Sequence, residues 1–180
     1  LDAEINSVLS AADLITPDQV QGQSATLRDA VLAGNWPKLR DARGKILIAL
    51  DDNAKKVAIY RGTRRSLEGR AMFINTDESS PAAAYLTLNE PLSDAKRIRA
   101  AVEAGFLVRT RADADTAEAR SGETARREAA LTSGAQYVST DYMQPDRRFG
   151  SYTVRLPDGA TTICNPVRQA QRCGSQAVGR

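Results

Sequence analysis

Histidine is absent from the 180 residues. That excludes from these residues imidazole acid–base catalysis, serine or cysteine triads that need a histidine, and zinc sites of the Cys/His kind. Aromatic residues reach only 5%, too few for base-stacking platforms, and no block of Lys and Arg resembles a nucleic-acid arm. Nucleic acid is therefore not expected as a partner. No stretch approaches the roughly 20 apolar residues of a membrane span, so at most peripheral membrane contact is expected. Charge of one sign is lacking too: 25 basic and 22 acidic residues leave +3, interspersed along the chain.

Cysteine is scarce. Cys164 and Cys173 stand close together near the C-terminus. A metal would want more ligands, and a redox pair would be spaced C-x-x-C. A disulfide closing a short terminal loop is expected, which implies an oxidising compartment. Two free thiols in a cytosolic protein are the alternative.

What is present is a 42% hydrophobic content and 26% charge, enough for an ordinary globular core. Leu1, Ile5, Val8 and Leu9 fall on one helical face, with no capping residue ahead of them. Asp13–Asp18 reads as extended, because Thr16 precedes Pro17. Ser24 is expected to cap a helix through Leu27, Val31 and Leu32 that stops at Gly34, and Pro37 to open a short turn closed by Gly44. Short apolar runs follow at Lys45–Leu50, Arg70–Ile74, Ala84–Leu88, Gly105–Val108 and Ala135–Ser139. Helical stretches are expected over Asp94–Ala104 and Thr116–Ser133, the second opened by Asp115 and Glu118 at capping-box spacing and ended by Gly134. Strands without polar alternation, interleaved with helices, predict an α/β fold with a parallel sheet. From Gly150 the style changes: Tyr152–Leu156 and Ala160–Cys164 flank Pro157-Asp158-Gly159, a β-hairpin signal. The expected division is thus 1–149 and a hairpin with a disulfide-pinned tail over 150–180.

Polar residues recur at the carboxyl end of each strand: Asp51, Asp52, Asn75, Asn89, Arg109, Arg111, Thr140 and Asp141. In parallel α/β proteins those ends form the ligand-binding face. Asp and Asn are also ordinary turn formers and caps. Arg109 and Arg111 flank Thr110, so both point to one side of their strand, where a phosphate would match their forked donors. The structural alternative pairs them with Asp141, Asp113 or Asp51. Phosphate-loop, dinucleotide and nucleophile-elbow motifs are absent, and Asp113-x-Asp115 fails as an EF-hand because Glu118 stands where Gly is required.

The run Gly105–Asp115 (GFLVRTRADAD) and the run Gly134–Tyr142 (GAQYVSTDY) resemble the bacterial calcium-dependent phosphoinositide phospholipase C-like proteins. These belong to the barrel phosphodiesterase superfamily that also includes glycerophosphodiester phosphodiesterases. Thr16-Pro17-Asp18, Leu27–Val31, Gly44–Asp51 and Leu88–Pro91 fit the same family. The resemblance runs from Leu1 to about Tyr142 and implies a TIM-type (β/α)₈ barrel, secretion or a periplasmic location, and cleavage of a phosphodiester or phosphoinositide-like substrate with calcium as electrophile. It also implies catalytic histidines and metal-binding carboxylates on early strands. Such a barrel needs ~250 residues, and this chain supplies only its later strands and no histidine. The expectation is the C-terminal half of the barrel, completed by an N-terminal half or a second chain. Arg109 and Arg111 are expected to hold the phosphate, with Asp51, Asn75, Asn89, Thr140 and Asp141 shaping the pocket. The alternatives are a non-catalytic anion-binding or assembly module of half-barrel type, and a small self-contained α/β domain.

Overall fold

Short helices and short parallel strands alternate through residues 1–168, the part of the chain that the computed structural model describes. They divide into two compact units. One comprises Leu1–Thr87 with Ala104–Phe106, the other Leu88–Glu103 with Leu107 onward.

In the first unit, α1 spans Asp2–Val8, α2 Pro17–Gln21, α3 Leu27–Leu32, α4 Leu39–Ala42 and α5 Ala54–Arg61, with strands β1 at Ala49–Leu50, β2 at Phe73–Ile74 and β3 at Tyr85–Thr87. The strands are shorter than the apolar runs that encode them. β1 pairs in parallel with β2 through Ala49↔Phe73 and Leu50↔Ile74. Single parallel bridges, Leu14↔Ile46 and Asn75↔Tyr85, extend the pattern on either side. The extended Leu14 is thus a sheet residue. Thr16 opens α2 with a full capping box, its hydroxyl accepting from the Gln19 N–H while Gln19 returns to the Thr16 N–H, and Pro17 occupies the first turn. The cap of α3 is Thr26, not the expected Ser24: its Oγ1 accepts from Asp29 N–H at 3.0 Å. The patterning of apolar runs passes over α5, although Asn53 caps it through Lys56 N–H at 3.1 Å. Leu14, Val20, Leu27, Val31, Leu67, Phe73, Ile74 and Leu86 are fully buried. The Trp36 ring lies 5.4 Å from that of Phe73, and its Nε1–H reaches the Gly105 carbonyl at 2.9 Å.

In the second unit, α6 (Ala95–Ala104, all but its last residue) buries Ile98, Ala101 and Val102. β4 (Leu107–Arg111) pairs in parallel with β5 (Tyr137–Ser139) through Arg109↔Tyr137, Thr110↔Val138 and Arg111↔Ser139. The single helix expected over Thr116–Ser133 is two, α7 (Ala117–Ser121) and α8 (Ala125–Thr132). Gly122 separates them at φ +74°, in the left-handed region, with its N–H closing on Glu118 O at 2.8 Å. The Asp115–Glu118 capping box does not form: Asp115 itself sits at φ +54°, and Glu118 Oε2 accepts from Ala114 N–H at 2.9 Å.

The C-terminal hairpin is likewise not formed among the described residues. Pro157–Gly159 makes one 3₁₀ turn closed by Ala160 N–H to Pro157 O at 3.0 Å. The first limb turns to a different neighbour: Val154 N–H and Thr153 Oγ1 both donate to the Tyr142 carbonyl, at 2.9 and 3.0 Å. Proline at the head of the turn favours the helical φ over the hairpin turn. Tyr152 is buried edge-on against Tyr142, with ring centres 5.6 Å apart. Cys164 is partly buried, and Cys173, its expected partner, lies outside the described residues.

Candidate functional site

The sequence-predicted residues fall into two groups, one in each unit. In the first unit Asp51 follows β1 and Asn75 follows β2. Thr87, at the end of β3, joins them: its Oγ1 donates to Asp51 Oδ1 at 3.0 Å and its N–H to Asn75 Oδ1 at 2.8 Å. Asp52 has a structural part, accepting from Asn53 N–H at 2.7 Å and Lys56 Nζ at 2.8 Å at the head of α5.

In the second unit β4 alternates. Val108 and Thr110 are fully buried, and Arg109 and Arg111 are half-buried on its other side. Arg109 Nη1 donates to Asn89 Oδ1 at 3.1 Å, and Arg111 Nε to the Asp113 carbonyl at 3.1 Å. These contacts orient the two guanidinium groups. Asn89 is itself fixed through its backbone. Arg126, its side chain 12% exposed, donates Nη2 to Asn89 O at 2.5 Å and to Glu90 Oε1 at 3.0 Å. Its Nε lies 3.9 Å from Glu118 Oε1, and Glu118 in turn receives Ala114 N–H. The Arg126 hydrogen bond, reinforced by the charge of Arg111, holds the Glu90 carboxyl below its ordinary range.

Thr140 and Asp141 are organised by Asp113, which is 2% exposed. Its two oxygens accept the Thr140 hydroxyl at 2.5 Å and Asp141 N–H at 3.0 Å. Thr140 Oγ1 also accepts Tyr142 N–H at 2.9 Å. Two tyrosine hydroxyls tie down the loop after β4, Tyr152 to Ala112 O and Tyr142 to Asp115 O, each at 3.0 Å. Burial first, then the charges of Asp113 and Glu118, push the Tyr152 phenol up to about 12, so it stays a neutral donor at physiological pH.

Sequence reasoning named the arginines and strand-end residues but passed over Thr87, Glu90 and Arg126, gave Glu118 only as a capping residue, and gave Asp113 only as an arginine partner and a failed EF-hand position. The spacing of Glu118 after Asp115 signalled a local role that is filled instead on Ala114. Chemically, the second-unit cluster offers oriented positive charge, hydroxyl donors and an amide, and no imidazole.

Parallel strands with arginines, amides and hydroxyls at their carboxyl ends define an α/β protein. The chain belongs to the family described as Ca²⁺-dependent phosphoinositide phospholipase C, whose match covers residues 1–166. No curated protein and no solved structure matches it.

Proposed function

We infer that this chain provides the phosphate-holding side of a phosphoinositide-cleaving active site, on the later strands of a (β/α)₈ barrel. The observation that carries this reading is the placement of Arg109 and Arg111 on one half-open side of β4, next to the strand's carboxyl end, each fixed by a hydrogen bond. A guanidinium so fixed binds phosphate oxygens with little further ordering and stabilises charge that builds on phosphorus as the ester breaks. Asn89 orients Arg109, and the Asp113–Thr140–Asp141 loop shapes the pocket beside Arg111. Asp51 and Asn75, joined by Thr87, line a second stretch of strand ends.

The family resemblance assigns proton transfer at the attacking and leaving oxygens to histidines, which these 180 residues do not contain, so histidines outside them or on a second chain fill that part. The family is Ca²⁺-dependent by description. Calcium takes about six to eight oxygen ligands, and no group of three acidic side chains converges among the described residues. Asp51 and Asn75 already accept hydrogen bonds from Thr87. These residues do not by themselves form a calcium site, and we assign its ligands to the same source as the histidines. Secretion or a periplasmic location, with a Cys164–Cys173 disulfide, completes the reading. The absence of histidine favours one alternative, a non-catalytic anion-binding module.

The test is phosphatidylinositol turnover by the polypeptide that unites this chain with the histidines. Arg109→Ala is expected to lower kcat by roughly 100-fold, the magnitude typical of losing one charge-stabilising donor. Unchanged turnover in a folded variant excludes Arg109 from the chemistry.

A further inference from the structure

The α7–α8 connection and the loop at 149–152 enclose a cavity of about 320 Å³ that the strand-end site does not use. Two arginines line it. Arg120 is fixed on two sides, its Nε donating to Thr116 Oγ1 at 2.8 Å and its guanidinium lying 4.2 Å above the centre of the Phe149 ring. Arg127 is fixed as well, with Nη1 on the Thr153 carbonyl at 2.9 Å and the guanidinium 5.9 Å from the Tyr152 ring centre. The remaining wall is hydroxyl-rich, from Ser121, Thr124 and Ser151, and among the described residues no carboxylate lines it.

Arg127 pairs with Glu128 at 3.8 Å, and Glu128 already accepts the Thr124 hydroxyl at 2.6 Å. That bond also draws Thr124 away from capping the first turn of α8, which has no side-chain cap. Two pre-oriented guanidinium groups therefore share one polar cavity whose lining, among the described residues, holds no carboxylate, the Glu128 partner of Arg127 not being one of the lining residues. An anion with several oxygens can use the forked donors of both. The Phe149 and Tyr152 rings lie against the two guanidinium groups.

We propose that this cavity binds a phosphate group, carried by a small phosphomonoester or a lipid headgroup, between Arg120 and Arg127. The probe is inorganic phosphate titrated into the full chain and followed by amide chemical shifts. Saturable shifts are expected at Gly122, Arg127 and Ser151, unchanged in the Arg109→Ala/Arg111→Ala variant. Arg120→Gln and Arg127→Gln should each weaken binding about tenfold. Ser151→Asp leaves both arginines in place and should abolish binding by supplying the missing carboxylate, which keeps the proposal testable if an arginine variant fails to fold. Displacement by glycerol 3-phosphate assigns the site to soluble phosphomonoesters, and displacement only by phosphatidic acid vesicles assigns it to a lipid headgroup. The proposal is overturned if the three amides show no saturable shift, if binding survives in folded Arg120→Gln/Arg127→Gln protein, or if the Arg109→Ala/Arg111→Ala variant loses it.

Discussion

At the scale of residues, Asp113 shows how one buried carboxylate can set a loop. Its oxygens take up a hydroxyl and a backbone N–H from the segment after β5, so Thr140 and Asp141 are held by Asp113 more than by their own strand. Asp113→Ala leaves both donors without their acceptor in a buried setting. The expected loss is about 1–3 kcal/mol of stability, read as a lower urea midpoint with an unchanged slope. An unchanged midpoint would show that the loop holds its shape without this carboxylate. None of this was legible in the sequence, because Asp113 and Thr140 stand 27 residues apart and hydrogen-bond partners across such a gap leave no local pattern. The common side of Arg109 and Arg111 was legible, because alternation along a strand depends only on a period of two. What the sequence left open was their partners. The carboxylate pairing with Asp113 does not form: Arg111 meets the carbonyl of that residue, and its side chain faces Thr140 and Asp141.

At the scale of elements, the apolar runs located the strands and misjudged their lengths. Lys45–Leu50 yields only Ala49–Leu50 as strand, with Ile46 bridging separately to Leu14. Apolarity reports burial, and burial continues past the last ladder hydrogen bond. Helix breaks were harder to read. Gly122 stands inside a helical pattern and looks tolerable there, but its positive φ ends α7 and leaves α8 to start afresh. Gly134 was correctly expected at the end of α8, and the structure gives it a second role. A Cβ built there would overlap the Val167 side chain, and Asn165 Nδ2 donates to its carbonyl at 2.7 Å. The segment around 165–167 is thereby seated on the turn before β5. Gly134→Ala combines a left-handed φ of +88° with that overlap. It should cost about 1–3 kcal/mol, checked by thermal or urea unfolding. A variant as stable as the parent would mean that the 165–167 segment does not rest on this glycine. The hairpin expectation failed for a tertiary reason, since the carbonyl of Tyr142 competes successfully for the donors of Thr153 and Val154.

At the scale of the whole molecule, the α/β class and the phospholipase C-like family were both legible from the sequence, the first from the rhythm of runs and helices and the second from the segments around Arg109–Asp115 and Gly134–Tyr142. Each unit gathers part of the strand-end set, Asp51 and Asn75 in the first, Asn89, Arg109, Arg111, Thr140 and Asp141 in the second. The first unit also exposes apolar side chains, with Leu1 68%, Val8 82%, Ile46 45% and Ile59 70% accessible. The central claim is that Arg109 and Arg111 hold the substrate's phosphate while proton transfer comes from residues elsewhere. Calorimetric titration of inositol 1-phosphate tests it most directly, in protein carrying Arg120→Gln and Arg127→Gln so that only the strand-end site is read. Adding Arg109→Ala is predicted to weaken binding at least about tenfold. Equal affinity with and without Arg109, in folded protein, would contradict the account.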